Sequence, residues 1–494
     1  MDAVALGGNA IDAALAAAAV LTVVYPHQCA VGGDLIAVFA QPGGDVQAVV
    51  SAGAAAAGID VDRVRADHER MPGRGPLTVT VPGAVAGWQS LAAAGAALPL
   101  GTALQRAANL AEAGFTVSPG MARALQANTE LLSADPGMRS VFFSGDGAPL
   151  PEGAHVCQPA LAATLRRLAS NPDDMYSGRT AELLTEGLQT LGSPLQQADF
   201  ASHRAETVTP VSRTVKGSTW YVAPAPSQGV ALLSVLGAGE DWTQAELLER
   251  SIRTAEARDR LLADPRFADV DLDGLLAAAD GAGTPEPAAD SRAPKPAGDT
   301  VAVTAVDSDG RAVSIVQSVF QSFGAGLLEP ATGIVLHSRG AAFSLNPEHP
   351  ALLRPGARPP HTLSPALCLS GGESGRTVIA LGCQGGRAQP WILAQVASAL
   401  ADPATGDPGE VLQRKRWVFG AADIGATAPT VVVEDDDVAP ELASVAARAG
   451  FASAARGSVW DEAGHVQVAR LQAGVLSAAS DPRADGAAAV SPAG

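Results

Sequence analysis

An α+β protein, in which sheet layers are flanked by helices, is the fold class this sequence predicts. Three observations carry it. The first 60 residues combine an Ala-rich helical stretch with a strand hairpin, and residues 80–205 are dominated by helical spacing. From Thr300 the chain turns β-rich before a last strand feeds another helix. Strands grouped apart from helices, twice over, call for layers rather than alternation.

The elements follow in order. Gly7-Gly8-Asn9 makes a turn, and Asp12 precedes an apolar run from Ala13 to Tyr25 that stops at Pro26. A membrane span needs about 20 apolar residues, so this shorter run reads as a buried core helix. Leu35–Ala40 (LIAVFA) and Val46–Gly53 (VQAVVSAG) form the arms of a hairpin around Gly43-Gly44. Gly101–Phe115 carries Leu104, Ala108, Leu110 and Ala111 at helical spacing, and Pro159–Ser170 repeats the pattern. Residues 206–235 return to strand character, then enter a helix through Pro224-Ala225-Pro226-Ser227-Gln228-Gly229, and a helical block runs to about 277. Ala278–Asp299 (AADGAGTPEPAADSRAPKPAGD) has no hydrophobic period and reads as a flexible tether. Strands fill Thr300 to about Ser370. Thr377–Gly382 (TVIALG) then leads through Cys383-Gln384-Gly385-Gly386 into the helix WILAQVASAL.

Composition narrows the function. The chain has 494 residues, 47% hydrophobic, enough for a large layered core. Only 4% are aromatic, so Ala, Val and Leu must fill that core. A net charge of −18 argues against nucleic-acid or anionic-membrane partners. Cys29, Cys157, Cys368 and Cys383 lie far apart without a CxxC pair, so buried, reduced thiols are expected. The eight histidines show no metal-ligand spacing, and neither metal nor cofactor is implied. Met1-Asp2 runs into a helical pattern with no basic leader, so a cytoplasmic location is expected.

The tether ends at a β-branched hydroxyl residue on a core strand. An N-terminal nucleophile needs that arrangement: once the bond before Thr300 is cut, its freed α-amine can act as base for its own hydroxyl. An interdomain linker before an ordinary hairpin is the alternative. If Ser308-Asp309-Gly310 is a three-residue loop with Gly310 left-handed, Asp307 pairs with Arg311, Val306 with Ala312, Val303 with Ile315 and Thr300 with Ser318. Ser318 would then lie beside Thr300 on one face, with Cβ atoms about 5 Å apart. The Gly385-Gly386 turn between strand and helix could offer backbone N–H groups to an oxyanion, although such turns also use glycine for steric reasons.

At these residues the chain resembles the γ-glutamyltransferase family of N-terminal-nucleophile hydrolases along nearly its whole length. The opening GGNAIDAALAAAAVLTVVYPHQCAVGGD is similar to the family's GGNA-DAA…PH…GGG segment. VPGAVAGW, LAEAGFTVS, YVAPAPSQG, LLADPRF, DTVAVTAVDSDGRAVS, FGAGLLEPATGIVL, RPPHTLSPAL and LGCQGG follow in family order. The resemblance implies a four-layer αββα sandwich and a precursor that cuts itself between Asp299 and Thr300. Residues 1–299 would form a large subunit and 300–494 a small one, the two remaining associated. It implies Thr300 as nucleophile, Ser318 as its supporting hydroxyl and Gly385 and Gly386 as the oxyanion hole. A further homo-oligomer is compatible with it.

The departures matter as much. Where the family grips the glutamyl α-carboxylate with Arg, this chain has Gly53-Ala54-Ala55. The amide residue after the supporting hydroxyl corresponds to Phe320, and the second threonine beside the nucleophile to Val301. The Gln and Asp that hold the α-amine correspond to Arg339 and Ala342, and the two carboxylate-binding serines to His361 and Thr362. Each lost charged hydrogen bond removes about 1.5–3 kcal/mol of grip. The expectation is therefore a Thr300 hydrolase acting on an amide, acyl or C–C bond of a small molecule other than a γ-glutamyl compound. Bacterial specialised metabolism, including a 4-alkylproline-type antibiotic intermediate, is one setting the resemblance suggests. Arg339 and His361 then either bind a different carboxylate or serve as solvated surface groups. A genuine γ-glutamyl hydrolase and a non-catalytic binding subunit remain as alternatives.

Overall fold

Asn9 starts the first long helix, Ala10–Val24. Its side chain accepts from the Ile11 and Asp12 N–H groups, and Asp12 accepts in return from the Asn9 N–H at 2.8 Å. Asp12 also accepts from the Ala97 and Leu98 N–H groups, tying the cap to a distant turn. Ile11, Ala14, Leu15, Ala18, Ala19 and Val23 are all buried, and Pro26 lies just beyond the end. The apolar run is the core helix its pattern predicts. The computed structural model describes residues 2–237, 241–281, 298–372, 375–421 and 424–491.

Two antiparallel sheets form the centre. The first is ordered Glu206–Val208, Val46–Ser51, Asp34–Ala40, Ala312–Gln321 and Gly298–Val306. The second is ordered Val475–Ser480, His465–Gln472, Gly375–Gln384, Ala366–Gly372, Ser218–Val222 and Val211–Val215. Their inner faces meet through Ile36, Val38, Val316, Leu367, Val378 and Ala380. Helices Ala10–Val24 and Ala84–Ala93 cover the outside of the first sheet; Val230–Leu236 and Gln389–Ala401 cover the second. This is the four-layer αββα sandwich. Asp34–Ala40 is buried along its whole length, which explains why LIAVFA shows no alternation of polar residues. A small sheet of Trp417–Gly420, Thr430–Val433 and Ala452–Ala455, with helix Pro440–Arg448, adds a unit the sequence pattern did not single out. Among the described residues no helix is long and apolar enough to cross a membrane.

The decisive hairpin follows its expected register, with one irregularity. Gly310 has φ +79°, the Asp307 N–H donates to the Arg311 carbonyl, and Val306 and Val303 face Ala312 and Ile315. Beyond Val301, which faces Gln317, the register shifts by one residue, so Asp299 faces Phe320. Thr300 therefore sits at a bulge rather than in simple pairing with Ser318. Bulges re-aim a side chain and break the ladder locally, and they recur beside active sites for that reason.

Two further expectations need correcting. Ala278–Asp280 is a packed 3₁₀ turn rather than tether: the Ala279 N–H donates to Ser234 Oγ, and Asp280 pairs with Arg250 at 2.6 Å. Residues 282–297 of the proposed tether lie outside the described residues. Cys29, Cys368 and Cys383 are buried, but Cys157 is exposed.

Three histidines are withdrawn from solvent, His27 and His361 fully and His203 in part. Burial pushes His27 down to about 3, and His203 and His361 down to about 4. Their ordinary value is near 6.5, so below that pH the unfolded chain binds protons that the folded chain refuses. Stability is therefore lost as pH falls from about 6.5 toward 4, by up to about 4 kcal/mol per pH unit if all three titrate together. Denaturant melts at pH 7, 6 and 5 should show a steep decline; a flat profile would refute this account.

Candidate active site

The site is built where the bulged end of Gly298–Val306 meets the end of Ala312–Gln321. Thr300 is 1% exposed, and its Oγ1 donates to Ser318 Oγ at 3.1 Å. Ser318 Oγ also accepts from the Phe320 N–H at 2.8 Å. Phe320 holds φ +78°, a conformation that costs a bulky residue about 1–3 kcal/mol. Such strain persists only where the surroundings over-determine it, and here Ser318 clamps the Phe320 amide.

Asp34 lies directly across from Ser318 on the neighbouring strand. It is fully buried; Oδ1 accepts from the Gly53 and Gly83 N–H groups at 3.2 and 3.1 Å. Oδ2 is 3.1 Å from His361 Nε2 and 3.4 Å from His337 Nδ1. Burial alone would raise the Asp34 carboxyl, but attraction to His337 and hydrogen bonds with both histidines hold it far below the usual carboxylate range. Ala54 is half-buried in the same turn, between the Gly53 amide held by Asp34 and the Ala55 amide, which donates to Ala357. Asp34 and His337 were not picked out from the sequence. The signal was present: GGD stands where the family segment reads GGG.

Arg339 and His361 are each only 1% exposed, so a solvated surface role is overturned. The Arg339 guanidinium stacks on the Phe320 ring, 3.8 Å from its centroid. It donates to Thr362 Oγ1 at 3.0 Å and to the Pro360 carbonyl at 3.4 Å. Burial presses it down to about 9, with Asp34 acting against that shift. Phe320, Arg339, His361 and Thr362 are thus brought together beside Thr300 and Ser318.

Gly385 and Gly386 follow the central strand of the second sheet, with φ of +150° and +51°. That φ strains any side chain at Gly385, where a Cβ would also press on the movable end of Ile392, 2.5 Å away. Gly386–Ala388 form a 3₁₀ turn, packed against the Thr300 strand, before the helix begins at Gln389. The turn thus precedes the helix rather than opening it. Gln228, read from the sequence only as part of a helix entry and a family motif, holds this turn: its Nε2 donates to the Gly386 carbonyl at 2.9 Å and the Thr362 carbonyl at 2.8 Å. Arg258 Nη1 donates in turn to Gln228 Oε1 at 2.8 Å. One amide thereby joins the glycine turn to the loop carrying His361 and Thr362. Gln228→Ala is expected to lower kcat roughly ten- to hundred-fold by loosening both, at about 0.5–1.5 kcal/mol per lost bond. Steady-state kinetics with unchanged subunit processing checks this; a change confined to KM would contradict it. Among the described residues no group of three or more His, Cys, Asp or Glu is arranged to hold a metal ion.

A layered αββα core with a buried threonine near the start of the edge strand of one of its two sheets defines the N-terminal-nucleophile class of hydrolases. The comparisons specify it further. The family model for gamma-glutamyltranspeptidase matches residues 1–491, and the chain belongs to that family. It is 36% identical to the oxamate amidohydrolase proenzyme of Klebsiella pneumoniae, over 98% of this chain and 94% of that one. It is also 36% identical to the glutathione hydrolase-like YwrD proenzyme of Bacillus subtilis, over 84% and 81%. The crystal structure of cephalosporin acylase from Bacillus halodurans superposes with a TM-score of 0.85 at 27% identity, covering 98% and 92%. The protein is a hydrolase of a family whose nucleophile is an N-terminal threonine.

Proposed function

We propose that this protein is an amidohydrolase that cuts itself between Asp299 and Thr300, works in the cytoplasm as the resulting heterodimer, and uses Thr300 on small amides that are not γ-glutamyl compounds. The observation that carries the reading is the Thr300–Ser318 hydrogen bond at a strand bulge. It joins the expected nucleophile to its expected support. The freed Thr300 amine takes the hydroxyl proton, and Oγ1 attacks the substrate carbonyl carbon. The oxyanion forms against the Gly385-Gly386 backbone. Collapse breaks the C–N bond, the amine leaves with the proton, and a Thr300 ester remains. Water, deprotonated by the same amine, attacks that ester and releases the acid.

The departure from γ-glutamyl chemistry is supported by Ala54, Phe320, Arg339 and His361 at the positions expected to grip glutamate. Relatives named as an amidohydrolase and as the acylase ACY 1 proenzyme of Pseudomonas agree with it. The narrower reading, C–C cleavage of a 4-alkylproline-type intermediate in antibiotic biosynthesis, rests on the resemblance alone. The test is mass spectrometry of the purified protein, then challenge with oxamate, adipyl and glutaryl amides, a γ-glutamyl anilide and alkylproline precursors. A mass increment on the Thr300 peptide with a non-glutamyl amide is expected. An unprocessed chain inert to all of them would sink the proposal.

A further inference from the structure

The outer face of the second sheet changes character toward one end. Trp220, Cys368, Ile379 and Leu381 pack there under the helices. Side chains alternate along a strand, so Ser218, Ser370 and Thr377 share that face, each two residues from one of these apolar neighbours. Arg470 stands opposite Ile379, and Ser477 opposite Arg470, which puts both on it too. Helix Gln389–Ala401 ends at this point, and the next helix starts only at Pro408. Hydroxyls and a guanidinium are thus left where a longer helix would have covered apolar residues.

A cavity of about 620 Å³ opens over them. Ala401 and the loop after it form one wall, and the hairpin turns at Lys216-Gly217 and at Ala473 form others. That volume suits a small organic molecule. Its floor is withdrawn from solvent: Arg470 is 3% exposed, Thr377 5% and Ser218 9%. Arg470 is also fixed in place. Nη1 donates to the Thr405 carbonyl at 3.0 Å, Nη2 to the Gly406 carbonyl, and Nε to Ser477 Oγ at 3.2 Å. A guanidinium has five N–H groups, so these bonds leave two for a ligand. Lys216 at the rim pairs with Asp241, an exposed carboxylate that another anion can replace. Among the described residues no carboxylate lines the cavity. Asp402 and Asp407 of the wall loop accept instead from the Ala404 and Gly409 N–H groups.

We propose that this cavity is a second ligand site, and that it takes a small phosphomonoester of the size of a sugar phosphate or a mononucleotide. Two cations without a lining acid select an anion. Four hydroxyls, from Ser218, Ser370, Thr377 and Ser477, select a phosphate, whose three terminal oxygens take several donors at once. Ala401, Pro403, Ala404 and Val475 give the organic part an apolar wall. The site is independent of the Thr300 chemistry. Thr377 and Gln384 lie on one strand about 23 Å apart at about 3.3 Å per residue, and the Gly385-Gly386 turn follows the far end.

Calorimetry of the processed wild type tests this with glucose 6-phosphate and adenosine monophosphate, beside glucose, adenosine and inorganic phosphate. At least one ester should bind saturably with Kd below about 1 mM. Its neutral counterpart and inorganic phosphate should each bind at least ten-fold more weakly, as charge-assisted bonds and the apolar wall require. Arg470→Met should weaken the ester ten-fold or more. Lys216→Met and Thr377→Val should each weaken it several-fold while leaving Arg470 and its loop contacts in place, so that loss of binding there is not loss of fold. Subunit processing should be unchanged in both. No binding of either ester overturns the proposal, as does inorganic phosphate or a neutral compound binding as tightly as the ester. Ester binding unaltered in Lys216→Met and Thr377→Val also overturns it, by placing the ligand elsewhere.

Discussion

Thr300→Ala is expected to remain a single chain on a denaturing gel, whereas the wild type should resolve into two fragments, the smaller beginning at Thr300. Alanine removes the only atom, Oγ1, that can attack the Asp299 carbonyl, and it removes the partner of Ser318 Oγ. An N-terminal nucleophile without a hydroxyl has neither self-cleavage nor acyl transfer, so activity falls by the full catalytic contribution, about 10⁶-fold or more. Thr300→Ser should still cleave. It keeps the hydroxyl, but without the methyl its rotamer is less restricted, so processing slows. N-terminal sequencing checks both. A processed alanine variant, or a wild-type fragment starting elsewhere, would remove Thr300 from its role.

The second large effect is a missing activity. Wild type should turn over a γ-glutamyl amide with kcat/KM well below 10⁴ M⁻¹s⁻¹, the lower end of ordinary enzymes. An α-carboxylate and an ammonium brought into this site would meet Ala54, Phe320 and the buried Arg339 cation. Arg339 repels the ammonium, and a buried charge without partners costs several kcal/mol. Ala54→Arg alone is not expected to rescue the reaction. The new cation would serve the carboxylate, while the ammonium would still face Arg339 and Ala342 rather than an acid. Measured turnover above that rate would mean a glutamate pocket built from other residues.

Much of this arrangement was legible in the chain. The hairpin loop around Gly310 set the register that brings Ser318 to Thr300, because a three-residue loop with a left-handed glycine permits little else. The bulge was not legible. It depends on the strained Phe320 amide reaching back to Ser318, a contact that no alternation rule encodes. Arg339 and His361 could be placed in the site by resemblance, but their burial could not. That burial comes from long-range closure: His361 pairs through backbone hydrogen bonds with Pro226 and Gln228. Asp34 was hidden in plain view, a carboxylate opening a run of apolar strand residues, whose cost is met by the Gly53 and Gly83 amides and by histidines about 300 residues away. The role of Gln228 was invisible for a similar reason, since its two acceptors come from separate loops.

The order of strands bears on what a cut before Thr300 would do to the protein's mechanical unity. In the first sheet Asp34–Ala40 pairs with Ala312–Gln321 across seven residue positions, and in the second Ser218–Val222 pairs with Ala366–Gly372. Each of these ladders joins a piece from before the cut to one from after it. Separating the fragments would mean unzipping both sheets and exposing the apolar seam between them. The nicked protein should therefore melt in one transition whose midpoint ignores dilution under native conditions. Fragments made separately would each carry torn sheet edges and precipitate. Maturation by that cut would sever the chain while leaving the molecule whole.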